Sequence, residues 1–486
     1  MEPSRSVHAS APGLTLGADA TRLFVGRVEE AIKRARARRR PVLASVTVPV
    51  AAEVDVSACV LRARGTGDRS FCFEQPERDG FALAGIGTAA VVEAAGGERF
   101  AQAAAACRRL AEGALSDDEA SDPQRPAAAG PVWLGGFAFA DRGGTSPEWS
   151  SLAPLALVMP EVALARQGGE ARLTVTAVVD GDEAAAAVIE RVERRLTLLD
   201  PRAAMPLADP NPVATSRVAG AMPPAHYEGA VARAIERIRA GELEKVVLAR
   251  EVRVHAPEPI VAGPVLGSLR AAFPACYCYA VSTPEVSFVG ASPELLVRRE
   301  GARAQTVALA GTARRSADPA VDDHLGEQLL ASRKDREEQE IVARRIERAL
   351  SGVSLWVAAA DEPALVRVHN VQHLATPIRA QLAEPVGTLD LAALLHPTPA
   401  VGGEPRDRAA TAIPQLEGLD RGWYAGAVGW TNLAEDGELC VALRCALLRG
   451  RVAHLYAGDG IVRDSVPEDE LAETEVKLQA LLPLLT

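Results

Sequence analysis

Strand-like and helix-like stretches alternate along this chain without the regular spacing of βαβ units, and no other feature restricts its fold more. Val42–Val50, Phe81–Ile86, Val132–Phe139 and Ala171–Val179 read as strands between Ala/Arg/Glu-rich helical stretches. Parallel doubly wound sheets need a crossover helix between successive strands, so the irregular order predicts an α+β fold instead. With 486 residues, 48% of them hydrophobic, the chain can bury one large core or two ordinary ones.

Proline-rich stretches divide the sequence. Ala111–Pro131 reads as a surface loop, and Asp200–Pro224 as a linker between an N-terminal half, residues 1–215, and a second region, residues 222–486. The first 15 or so residues are small and polar and are expected to be flexible. They lack the apolar run of a signal peptide, and the most apolar stretch, Leu152–Ala165, is short and broken by Pro154 and Pro160. A cytoplasmic protein without a membrane span is expected. A net charge of -11 argues against a nucleic-acid partner, which requires a basic face. The seven cysteines include no C-x-x-C pair and read as reduced, structural thiols rather than zinc ligands.

After the linker, Val231, Ile235 and Ile238 repeat at helical spacing and Gly241 supplies a stop. A strand follows from Lys245 to Val254. Lys245 stands at the start of this otherwise apolar strand, where its neighbours would strip water from the ammonium and favour the amine form of a general base. For one strand taken alone, a lysine snorkelling from a strand end is the commoner explanation. In Phe288–Val297, a Gly/Ser/Pro turn interrupts an apolar run and carries Glu294 at the bend. Buried there, the carboxyl would hold its proton and could act as a general acid; an exposed turn residue explains it equally well.

Two acidic pairs lie at i,i+3 spacing, Asp335 with Glu338 and Glu470 with Glu473, the latter followed by Lys477. Each pair shares a helix face, and if the two helices converge their oxygens would suit Mg²⁺. Solvated helix faces account for either pair by itself. Arg444 precedes Tyr456-Ala457-Gly458-Asp459-Gly460-Ile461-Val462. Arg offers a fork to a carboxylate, and such glycines let backbone N–H groups approach an anion, although a plain turn explains them too. The residues alone reach only a site for a small acidic substrate, with metal, base and acid.

Three runs go further: His396-Pro397-Thr398-Pro399-Ala400-Val401-Gly402-Gly403, Arg421-Gly422-Trp423-Tyr424-Ala425-Gly426, and Tyr456 to Val462. From about Ala225 onward the chain closely resembles the chorismate-utilising enzymes, whose members include isochorismate, salicylate, anthranilate and aminodeoxychorismate synthases. The N-terminal half resembles them more loosely, through Phe71–Gly87 and Trp133–Phe139. The resemblance implies two large antiparallel sheets packed together, helices outside and the site between the sheets.

It also implies roles. Lys245 would activate water and Glu294 would protonate the departing C4 hydroxyl of chorismate. Glu338 and Glu473 would bind Mg²⁺, supported by Asp335 and Glu470. Arg444 and Tyr424 would hold the pyruvyl carboxylate with the backbone at Gly458 and Gly460, while Gly311, Thr312, His373 and Lys477 line the pocket. Ala310 stands where aminodeoxychorismate synthases have a nucleophilic lysine, and Lys245 where ammonia-using members have glutamine. Water is therefore the implied nucleophile and isochorismate, of a menaquinone or siderophore pathway, the implied product. Salicylate synthase, which also expels pyruvate, is the nearest alternative. A chorismate-binding subunit docking a glutamine amidotransferase is another, but the complete set of catalytic residues argues against a mere binding module; no amidotransferase partner is expected, and a monomer is. Gln339 replaces a histidine common in the family and is expected to donate a hydrogen bond behind the metal.

Overall fold

The computed structural model describes residues 13–117, 125–208, 215–368 and 371–486. Among these residues the strands form two sheets, one of twelve strands and one of ten, and their ladders are antiparallel. The larger runs from Val42–Val50 at one edge, through Ser70–Gln75, Tyr277–Ser282, Ser287–Ser292 and Cys445–Arg449, to Val452–Ile461, Lys245–His255 and Gly403–Glu404. The smaller includes Val371–Leu382, Arg303–Arg314, Leu295–Glu300, Gly437–Val441, Ala427–Asn432 and Val132–Phe137.

Strands from both sides of residues 215–222 enter both sheets, so neither half closes its own. Phe71, Phe73, Tyr279 and Phe288 of the larger sheet meet Trp133, Leu295, Val428 and Ile378 of the smaller in one buried cluster. Alternation supplies that inner layer, because every second side chain of each strand faces the opposite sheet. On the outer face of the larger sheet, Phe24, Val28 and Ile32 of the helix Ala18–Arg38 and Val188, Val192 and Leu196 of the helix Ala185–Thr197 bury a second cluster. A third joins the helices Pro224–Arg239 and Arg406–Glu417 to Val246, Leu248 and Ile461, covering the strand that begins at Lys245.

The α+β reading and the two-sheet architecture hold. The Val42–Val50 and Phe81–Ile86 strands fall where the alternation placed them, and Val132–Phe137 ends two residues early. The linker reading of Asp200–Pro224 is corrected in part: Arg217–Gly220 is a short strand paired with Val252–His255, too short and too exposed to carry an apolar pattern. Residues 1–12, 118–124 and 209–214 lie outside the described residues, and with them most of the flexible start and the middles of both proline-rich stretches. All seven cysteines are buried and free. Among the described residues no helix is long and apolar enough to cross a membrane.

Candidate active site

Lys245 opens the strand Lys245–His255, whose neighbour Val452–Ile461 sets Gly460 opposite Val247 and Gly458 opposite Ala249. Its side chain is fully buried, and Nζ lies 2.8 Å from Oε1 of Glu338, on the helix Arg333–Ser351. The apolar shell expected from the sequence is present, but so is this carboxylate, which supplies an opposite charge. The pair is held by charge alone, since Nζ has no acceptor at a hydrogen-bonding angle. Gly460 is what makes room for it: a Cβ there would come within 2.1 Å of Glu338 Oε1 and 2.9 Å of Lys245 Cε.

Glu294 occupies the point where the chain leaves one sheet for the other, between the strands Ser287–Ser292 and Leu295–Glu300. Its backbone is pinned there, the N–H donating to Ser292 Oγ and the C=O accepting from Val441 N–H. The side chain is 3% exposed. Burial pushes its carboxyl up to about 8, against the pull of the nearby Lys245 and Arg444 charges. At neutral pH Glu294 therefore carries a proton it can donate.

Arg444 has a φ of 44°, a left-handed conformation that disfavours a residue with a Cβ and occurs where surroundings enforce it. One terminal nitrogen of its buried guanidinium contacts His373 Nε2, while the other, Nη1, has no partner. His373 Nδ1 donates to the Gly311 carbonyl at 3.0 Å. Burial, then the charges of Arg444 and Lys477, hold its imidazole down to about 3, so the ring is neutral and Nε2 accepts from Arg444. Arg444 thus presents an unsatisfied N–H, a feature that a carboxylate ligand would complete. Tyr424 stacks on Tyr456 with ring centroids 5.3 Å apart, and its hydroxyl lies 2.9 Å from where a Cβ on Gly458 would stand.

The two acidic helices converge. Lys334, beside Asp335, donates to Glu470 Oε1 at 2.7 Å across the gap, and Lys477 Nζ lies 2.9 Å from Glu473 Oε1 and 3.1 Å from Asp459 Oδ1. Oxygens of Asp459, Glu470 and Glu473 lie within 4.8 Å of one another. Burial and the charges of Glu473, Glu470 and Glu338 push the Asp459 carboxyl well above its usual range. Burial likewise raises Glu470 against the pull of Lys334, whereas at Glu473 burial, the largest single influence, is outweighed by the charge and hydrogen bond of Lys477 together with further hydrogen bonding, and the carboxyl is lowered. Asp459 Oδ2 is buried without a partner. A crowded set of hard oxygens with one orphan among them suits a divalent cation, which would relieve the repulsion. Asp335 stands apart from the trio; it contacts Ser332, packs against Gly311, and burial raises its carboxyl.

One cleft, open to solvent, unites these groups. Glu294, Gly311, Thr312, Glu338, His373, Tyr424, Arg444, Gly458, Gly460 and Lys477 line it, together with Ala310 and Asp459. Lys245 lies beneath the wall, under Gly460 and behind Glu338, rather than on it. Glu470, Glu473 and Asp335 sit beside the cleft. Asp459 received no role from the sequence; the available signal was an acid between two glycines within an apolar strand. Gln339 does not meet its expectation, because Nε2 donates to the Ala308 carbonyl at 2.9 Å and to Thr376 Oγ1 at 3.0 Å, tying the helix to the sheet.

Residues 30–486 match the family described as chorismate binding enzyme. The chain belongs to that family. This chorismate-binding enzyme is 36% identical over 468 residues to the salicylate biosynthesis isochorismate synthase of Pseudomonas aeruginosa, covering 95% of this chain and 94% of the relative. It is 33% identical to the isochorismate synthase MenF of Bacillus subtilis, over 86% and 88% of the two chains. Among solved structures, it matches MenF, the menaquinone-specific isochorismate synthase from Escherichia coli, with a TM-score of 0.76 at 26% identity, over 95% of this chain and all of that one. Anthranilate synthase component I from Streptococcus pneumoniae shares the fold, with a TM-score of 0.65 at 20% identity over 82% and 92% of the chains.

Proposed function

We propose that this enzyme is an isochorismate synthase, an isomerase that moves a hydroxyl from C4 to C2 of chorismate. The observation that carries the reading is a proton-bearing Glu294 in the same cleft as an unsatisfied Arg444, with the amine of Lys245 just beneath the wall.

The substrate is a dianion, and the cleft offers two kinds of partner. The free Nη1 of Arg444, with Tyr424 beside Gly458, suits the pyruvyl carboxylate. Glu338, Glu473, Asp459 and Glu470 would hold Mg²⁺, which when bound neutralises charge and draws in the ring carboxylate. Glu338 is shared between this set and Lys245; turned toward the other carboxylates, it leaves Lys245 Nζ open to a water. In the step itself, Lys245 takes one proton from that water as its oxygen bonds to C2. The ring double bonds shift from C1–C2 and C5–C6 to C1–C6 and C4–C5, and the C4–O bond breaks as Glu294 protonates the departing hydroxyl. One water enters and one leaves, so substrate and product are isomers. Base and acid each account for a factor of about 10²–10⁴ in rate.

The test is incubation of the isolated chain with chorismate and Mg²⁺ alone, without glutamine or ammonia, and chromatography of the product. Isochorismate supports the reading. Fluorescent salicylate with pyruvate would replace it with salicylate synthase, and no turnover without an ammonia source would overturn it.

A further inference from the structure

Arg421 and Glu417 form an ion pair that touches nothing in the cleft yet reaches three of its walls. Both side chains are at most 3% exposed. Arg421 Nε donates to Glu417 Oε2 at 3.0 Å, and Nη2 contacts Glu417 Oε1. Nη1 donates to the Val401 carbonyl at 2.8 Å and Nη2 to the Val247 carbonyl at 2.9 Å, while Glu417 Oε1 accepts from Ala249 N–H at 2.6 Å. The guanidinium lies 4.2 Å from the centre of the Phe139 ring. Four of its five N–H donors are thus spent on the protein, and the group does not line the cleft.

What those bonds join matters more than their number. Val247 and Ala249 belong to the strand that Lys245 begins, Val401 to the loop that walls the cleft beside it, and the Arg421 carbonyl accepts from Tyr424 N–H at 2.9 Å. Besides the clamp, strand and loop are tied by the two-residue ladder of Lys245–Val246 with Gly403–Glu404 and by a bond from Val247 N–H to the Gly402 carbonyl. A buried ion pair is weak evidence for stability, since apolar side chains of equal volume often serve as well or better. This pair is instead placed to fix geometry.

We infer that Glu417 and Arg421 are positioning residues that hold the Lys245 strand in register with the Val401 wall and with Tyr424, and so set the distance between base and bound substrate. The inference rests on the isochorismate synthase reading. Lysine cannot reproduce the fork, so Arg421→Lys keeps the charge but releases at least one carbonyl. The experiment measures kcat and KM of the full chain with chorismate and Mg²⁺, normalised to the folded fraction and run well below each variant's melting midpoint. Displacing a base by an ångström costs up to about 100-fold in rate. Arg421→Lys should therefore lower kcat about 10- to 100-fold while KM stays within about twofold. Glu417→Gln, which keeps an acceptor for Ala249 N–H, should move kcat in the same direction by less. A purely structural role leaves kcat per folded molecule unchanged, and that result overturns the inference, as does failure of both variants to fold. Absence of turnover in the wild-type chain would instead defeat the reading of the reaction.

Discussion

Glu294 sets activity against stability, and Glu294→Gln separates the two. Its carboxyl is raised from 4.5 to about 8 in the folded protein, chiefly by burial. A raised value means that the group's favourable contribution to folding is complete below about pH 4.5 and is lost as pH rises toward 8. Across that window the unfolded chain releases the proton while the folded chain keeps it, at about 1.4 kcal/mol per pH unit. At pH 7 the penalty reaches roughly 3 kcal/mol, which Gln, nearly the same shape and never ionised, does not incur. In a chain of this length that is worth a rise of about 3 °C in Tm. We expect the ligand-free variant to melt higher than wild type at pH 7 to 8, and the gap to close near pH 4.5. Activity should move the other way, falling about 10²–10⁴-fold for loss of the acid. The wild-type kcat should also decline about tenfold per unit above pH 8, as the donor ionises. Isochorismate formation followed by chromatography and thermal melts at three pH values suffice. A variant no more stable than wild type at pH 7, or a gap independent of pH, would refute the account of Glu294 as a buried neutral acid.

Lys245→Ala should lower kcat by a similar 10²–10⁴-fold, while Mg²⁺ still shifts the thermal midpoint because the carboxylate set is intact. Arg444→Ala should raise the KM for chorismate at least about tenfold, since the pyruvyl carboxylate loses a charge-assisted partner. Asp459→Asn should raise the Mg²⁺ concentration giving half-maximal activity by about 10- to 100-fold, read by titration after chelation.

The sequence revealed more of the chemistry than of its arrangement. Alternating apolar residues gave the strand after Lys245 and the turn at Glu294 because both lie in local patterns. That the turn is where the chain changes sheets depends on pairing with strands more than 100 residues away, which no local period records. The convergence of the two acidic helices was conditional for the same reason, and the structure settles it through Lys334 and Glu470. The Lys245–Glu338 pair was invisible because its members are 93 positions apart and belong to different element types. Asp459 stands in the sequence only as part of a glycine motif, and its isolation there from other carboxylates hides their crowding in space. Gln339 points to the sheet because its helix face is set by packing against Ala308 and Thr376.

Attack by a solvent water at C2 is the step on which the roles of Lys245 and Glu294 depend. Running the reaction of wild-type enzyme, chorismate and Mg²⁺ in H₂¹⁸O and analysing the product by mass spectrometry tests it directly. The expected product is isochorismate carrying one ¹⁸O at C2, formed by wild type and not by Lys245→Ala. Unlabelled isochorismate would mean that the hydroxyl migrates without exchange, and no base-activated water would then be involved.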